Sequence, residues 1–232
     1  MAEAIRAGLA QLVLVASDAR PTPGLRELRA EAQRAGLPVR EAPAAVLDSA
    51  GSGHQGVAAR VTIPRAVGER ELRSWSFGSD ALVVVLDGIT DPQNVGASAR
   101  VAEAAGASLI VMRERRSAPV TAAAVRASAG ALLHLPHARV ANLSRVLEAL
   151  EDRGFAVVGL DGRAEASIYE ADPPGRPLAL VVGSEGAGIS RLVRERCDRL
   201  VRLPMGGKVA SLNAAAALSA VLYAFVLPSD RG

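Results

Sequence analysis

Aromatic residues make up only 3% of this 232-residue chain, although half of its residues are hydrophobic. A core without large rings must be filled by Ala, Val and Leu, which pack densely only where backbones approach closely. Cysteine is almost absent: Cys197 stands alone, which excludes an internal disulfide and fits a reducing compartment. Lysine is as scarce, Lys208 being the exception among basic residues that are otherwise arginine. No apolar run reaches the roughly 20 residues of a membrane span, and the N-terminus carries no signal-peptide pattern. The expectation is a soluble, cytoplasmic chain. Its formal net charge of +3 leans mildly towards a polyanionic partner, and arginine's planar fork suits phosphate.

The pattern of apolar runs and breakers predicts two α/β regions. In residues 1–64, Gln11 to Ala16 reads as a buried strand and Pro23 to Ala35 as an amphipathic helix ended at Gly36. Further strands are expected at Pro38 to Arg40 and Val57 to Ile63, with a short helix over Ala44 to Ser49. Residues 65–80 mix charge, Gly and the lone Trp75, and read as a linker or, alternatively, as a helix packed on the second region. From Ala81 to the end, continuous apolar strands (81–86, 108–112, 155–160, 178–182, 200–203) alternate with helices. These include Asn94 to Ala105, Thr121 to Ala127, Leu143 to Arg153 and the small-residue helix from Ala214. Such alternation predicts a mostly parallel sheet covered on both faces.

Several tempting motifs have bland explanations. Gly51-Ser52-Gly53-His54-Gln55-Gly56 matches GxGxxG but precedes a strand, whereas a dinucleotide fingerprint lies between strand and helix. His134 and His137 lack a third ligand nearby, and Pro136 breaks any helical face, so they read as surface or loop histidines and no metal is expected. Cys197 has no histidine partner in sequence and reads as a half-buried structural thiol.

Three other segments are harder to explain as structure alone. Asp87 to Arg100 holds Asn94, Gly96 and Arg100; Asn94 suits a helix N-cap, and Arg100 on an Ala-rich helix is either solvated or bound to something. Gly183-Ser184-Glu185-Gly186 follows a buried strand, where open α/β sheets place ligands, and Glu185 is either a cap or a functional carboxylate. Leu203-Pro204-Met205 leads through Gly206, Gly207 and Lys208 to Ser211-Leu212-Asn213 at the head of the last helix. Each alone could be a cap. Three such loops at strand ends point to a shared site.

In this order the segments resemble the three motifs of the SpoU (TrmH) family of RNA 2′-O-ribose methyltransferases, from about Ala81 to Val226. His54-Gln55-Gly56-Val57, Arg116-Ser117-Ala118 and Ala127 to Ala131 resemble the subgroup that carries an L30e-like RNA-binding domain and includes 23S rRNA guanosine methyltransferases. The chain enters that domain without the leading segment many relatives carry. The resemblance implies a SPOUT-type α/β fold with a C-terminal trefoil knot, S-adenosylmethionine as cofactor and a homodimer built on the first two motifs and the last helix. It assigns Gly183, Leu203 and Leu212 to the cofactor pocket, with Gly186, Met205 and Ser211 close by. Arg100, Asn94, Glu185, Ser211 and Asn213 become the catalytic residues. Asn94 would position Arg100 or the ribose, and Glu185 would orient the arginine or its loop. An arginine with a pKa above about 12 suits stabilisation of an alkoxide better than proton abstraction. Arg20, Arg26, Arg29 and Arg34 would grip folded RNA. The competing implications are a tRNA or resistance-type rRNA ribose methyltransferase, or an RNA-binding protein without catalysis.

Overall fold

The computed structural model describes residues 1–49, 53–208 and 211–227, and two compact units divide the chain, Met1–Pro64 and Arg65–Gly232. The first contains α1 (Ala2–Arg6), β1 (Ala10–Ala16), α2 (Pro23–Arg34), β2 (Val39–Ala42), α3 (Ala44–Asp48) and β3 (Val57–Val61). Its three strands lie in the order β2-β1-β3, with β2 parallel and β3 antiparallel to β1. Thr22 caps α2 by accepting from Leu25 N, and Pro23 at the first helical position has no N–H to satisfy. Arg20, Arg26 and Arg34 are exposed, while Arg29 pairs with Glu41 at 3.1 Å. Gly51 and Ser52 of the GxGxxG match lie outside the described residues.

The second unit contains β4 (Val67–Gly68), α4 (Glu69–Arg73), β5 (Leu82–Asp87), α5 (Pro92–Ala104), β6 (Leu109–Arg113) and α6 (Ala122–Ala127). It continues with β7 (His137–Val140), α7 (Leu143–Glu151), β8 (Ala156–Leu160), β9 (Leu178–Gly183), α8 (Arg191–Arg194), β10 (Arg199–Val201) and α9 (Ala214–Val221). Seven strands form one sheet in the order β10-β8-β9-β5-β6-β7-β4, and every neighbouring pair is parallel. Alternation along β5 shows how it is covered. Leu82, Val84 and Leu86 pack with α5 and α9 on one face; Val83 and Val85 pack with α7 and Val193 of α8 on the other. Both faces are thus buried, as the unbroken apolar strands require.

Residues 65–80 do not act as a spacer: β4 extends the sheet beside β7, and Leu72 of α4 is buried. Their high charge conceals a two-residue strand and one apolar anchor. His137 is likewise not a surface residue. It is 3% exposed on β7, a strand too short and polar to stand out in sequence. The last strand is also shorter than expected, which leaves Leu203 in the loop beyond it. Cys197 is a partly buried structural thiol whose Sγ lies 3.4 Å from Val193 O, and burial pushes its pKa up to about 12.

Helix α5 passes α6 at close range because Gly96 has no side chain. A Cβ there would overlap Ala124 O and lie 2.6 Å from Ala127 Cβ. Small residues therefore do here what rings do in an aromatic-rich core. Among the described residues no helix is long and apolar enough to cross a membrane.

Candidate active site

The strand order reverses direction at β5 and β9, which lie side by side with Asp87 opposite Gly183. Their carboxyl ends release the loops 88–91 and 184–188 next to one another, at the kind of switch point where open α/β sheets bind ligands. Gly183 makes the second loop possible. A Cβ there would overlap the backbone of Gly188 and Ile189, while Ser184 and Gly188 form a bridge across the turn.

Asn94 does not cap α5. Asp91 does, accepting from Gln93 N at 2.9 Å, so Asn94 sits inside the first turn with its carboxamide free for other partners. Its Nδ2 donates to Glu185 Oε1 at 2.9 Å. Asn213 is a cap, and more than a cap. Its Oδ1 accepts from Ala215 N and Ala216 N at the head of α9, which turns its Nδ2 the other way. That nitrogen donates to Asn94 Oδ1 at 2.7 Å and to Glu185 Oε1 at 2.9 Å. Asn94, Glu185 and Asn213, distant in sequence, thus close into one triangle of three hydrogen bonds. Glu185 Oε2 has no hydrogen-bond partner among the described residues and remains an open acceptor.

Beside the triangle lies a cavity of about 350 Å³, a size typical of small-molecule sites. Gly183, Gly186, Leu203, Met205, Ser211 and Leu212 all line it, together with Glu185. Aliphatic side chains and the backbone of a glycine-rich loop form most of this wall, which fits a ligand with an apolar ring face and hydrogen-bonding edges. Val209 and Ala210, within the third motif, lie outside the described residues.

The sequence offered no sign of one further wall, the turn after β8. Asp161 there is 3% exposed, and its Oδ2 is bracketed by Arg163 and Arg194, each at 3.2 Å. Burial pushes the Asp161 carboxyl up, but hydrogen bonds from the Arg163 side chain and backbone, with the charges of Arg163 and Arg194, hold it below its ordinary value. A lone Asp before Gly162 resembles any turn, so only the fold reveals this part.

Arg100 joins neither group. It is exposed on α5 and makes no ion pair among the described residues. Asn94 bonds to Glu185 and Asn213, and no hydrogen bond joins it to Arg100 among the described residues. Among the described residues no group of three His, Cys, Asp or Glu is placed to hold a metal.

The model for the SpoU rRNA Methylase family matches residues 81–223, the span that contains the triangle and the cavity. The chain belongs to this family. It is 41% identical to the 23S rRNA (guanosine-2′-O-)-methyltransferase RlmB of Photobacterium profundum, over 86% of this chain and 82% of that protein. The RlmB of Xanthomonas campestris pv. campestris is 42% identical over 87% of this chain and 82% of its own length. Among solved structures, the SpoU methyltransferase AviRb from Streptomyces viridochromogenes, in complex with the cofactor AdoMet, superposes with a TM-score of 0.79. It is 29% identical, and the match covers 99% of this chain and 87% of that one. The α/β architecture with its parallel sheet is therefore that of the SpoU methyltransferases.

Proposed function

We propose that this protein methylates the 2′-oxygen of a guanosine in 23S rRNA, using S-adenosylmethionine. The observation that carries the reading is the Asn94–Glu185–Asn213 triangle standing beside a cavity lined by all six residues expected to hold the cofactor. The cofactor supplies an electrophilic methyl group on a sulfonium centre. Leu203, Leu212 and Met205 would cover its apolar surfaces, and the backbone of Gly183 and Gly186 would approach its polar edges, because neither glycine has a side chain in the way.

A ribose hydroxyl is a weak nucleophile, so the protein must orient it, accept or relay its proton and stabilise the negative charge that develops. Glu185, held through Oε1, keeps Oε2 free to accept from a ribose hydroxyl or an arginine. The exposed Arg100 guanidinium would meet the growing alkoxide charge or a neighbouring phosphate. Ser211, on the cavity wall, would complete the polar edge.

The first unit, 1–64, is read as an L30e-like RNA-binding domain, supported by its exposed arginines and compact sheet. A trefoil knot is supported by the route of the chain. It leaves β10 at one edge of the sheet, then Leu203, Met205, Ser211 and Leu212 line the cavity beside β9, and α9 packs on α5. Tyr223, an exposed aromatic residue on the segment after α9, supports a homodimer that includes the end of the last helix. A cytoplasmic location follows from an rRNA substrate and a single reduced thiol.

Incubation with methyl-labelled S-adenosylmethionine and either unmodified 23S rRNA or tRNA tests the reading. Label on one 2′-oxygen of 23S rRNA is expected. Label in tRNA alone would overturn the substrate, and cofactor binding without transfer to either would leave an RNA-binding protein.

A further inference from the structure

The loop 184–188 has a second side. Besides the cofactor cavity, Ser184, Ala187 and Gly188 also line a second space of about 450 Å³. Its remaining walls are Asp87, Gly88, Arg113, Arg116, Ser190, Arg191 and Leu192. Three arginines thus face one cavity, and the single carboxylate among them is already occupied. Asp87, 2% exposed, accepts from Arg113 Nε at 2.8 Å and from Ser190 N at 2.7 Å. Arg113 Nη2 donates to Ser190 Oγ at 2.9 Å, so two anchors fix this guanidinium and leave Nη1 unengaged. Asp87, at the end of β5, is the buried support that aims an arginine.

Arg116 is presented differently but just as firmly. Its loop is fastened at both ends by Arg139, which donates to Glu114 O and, at 3.0 Å, to Ala118 O. Backbone bonds from Glu114 N to Val140 O and from Ala118 N to Ile89 O close it further. At the apex Arg116 holds a left-handed φ of 61°, and its exposed guanidinium makes no ion pair among the described residues. A non-glycine residue rarely holds that conformation unless its surroundings impose it. Arg191 completes the rim, partly neutralised by Glu195. An anchored guanidinium and a second one on a fastened loop, with hydroxyls beside them in an open cleft, fit an oxyanion bound by arginine forks.

We infer that this cavity seats a backbone phosphate of the RNA strand that delivers its ribose to the Asn94–Glu185–Asn213 triangle. Arg113 and Arg116 bind the phosphate oxygens, and Ser184 and Ser190 are the adjacent hydroxyls. The inference rests on the proposed reaction and extends it: the 184–188 loop holds cofactor on one face and positions substrate on the other. Phosphate contacts fix register and carry no base identity, so the effect belongs in RNA affinity.

The test compares wild type with Arg116→Ala, Arg116→Glu, Arg116→Lys and, as a control for lost surface charge, Arg70→Ala. KM for unmodified 23S rRNA and its salt dependence are measured, with S-adenosylmethionine Kd alongside. Arg116→Ala is expected to raise KM about tenfold and lower the salt slope by about one, as for a lost phosphate contact. Arg116→Glu raises KM further, Arg116→Lys restores part of it, and cofactor Kd stays constant. An unchanged KM and slope in Arg116→Ala, or an equal effect of Arg70→Ala, overturns the inference. If wild type methylates no rRNA, the proposed reaction has failed instead. Equilibrium RNA binding across salt, wild type against Arg116→Ala, then still decides whether the cavity takes a phosphate.

Discussion

Asn213 uses both ends of its carboxamide, the oxygen on two backbone N–H groups of α9 and the nitrogen on Asn94 and Glu185. Aspartate keeps the capping oxygen and loses the donor. Asn213→Asp should therefore unfold within a few degrees of wild type while methyl transfer falls at least about tenfold. Asn213→Ala should also lose the cap, worth about 1 kcal/mol. Thermal unfolding measured beside turnover separates the two roles, and wild-type turnover in the aspartate variant would remove the donor from the mechanism. Arg100 calls for a different experiment, since nothing in the fold depends on it. Arg100→Ala should reduce methyl transfer by roughly 10²–10³, the scale for losing one charge-stabilising donor, with an unchanged circular dichroism spectrum. Near-normal turnover would show the arginine to be a solvated residue of α5.

Two elements have properties that no single side chain explains. The strand-to-loop junction after β9 depends on Gly183, whose missing Cβ makes room for the backbone of Gly188 and Ile189. Backbone cannot rotate aside as a flexible side chain can, so Gly183→Ala must displace the whole turn. The expected outcome is a stability loss of about 1–3 kcal/mol and a Kd for S-adenosylmethionine raised at least tenfold by calorimetric titration. Retention of wild-type affinity would place the cofactor elsewhere. Strand β7 buries His137, and that burial, then the charge of Arg139, lowers its pKa below the ordinary value. The folded state thus resists protonation that the unfolded chain accepts near pH 6.5, so stability is full above that pH and declines as pH falls below it. Urea unfolding at pH 7 and pH 5 should show this decline in wild type and a smaller one in His137→Leu. Equal declines would assign the effect to other groups.

At the scale of the molecule, residues 65–232 contain the sheet, the triangle and both cavities, and residues 1–64 contain none of them. A chain of residues 65–232 is expected to bind S-adenosylmethionine as the full protein does and to lose most of its rRNA methylation, recovered only at high RNA concentration. Undiminished KM for rRNA would deny the first unit its RNA-binding role. Most of this architecture was readable beforehand, because apolar strands buried on both faces leave short unbroken runs such as Leu82 to Leu86, rich in β-branched residues and bounded by breakers. Strands β4 and β7 escaped notice because two to four residues at a sheet's flank carry too little pattern to outweigh charge and histidine. The motif residues were legible because their chemistry is unusual for their local setting: Asn94 and Asn213 at helix heads, Glu185 among glycines. Local pattern could not tell which of them touch. Asn94 looks like a cap as well as Asn213 does, and only the path of the chain makes both partners of Glu185 and Asn213 alone a cap. Asp87 and Asp161 make the same point, since the partners that hold these buried carboxylates, Arg113 and Ser190 for Asp87 and Arg194 for Asp161, come from segments far apart in the chain. Alternation and composition act over a few residues and so specify elements and class. Hydrogen-bond partners, cavities and the standing of a charge depend on which loops the sheet order brings together, and that is a property of the folded chain.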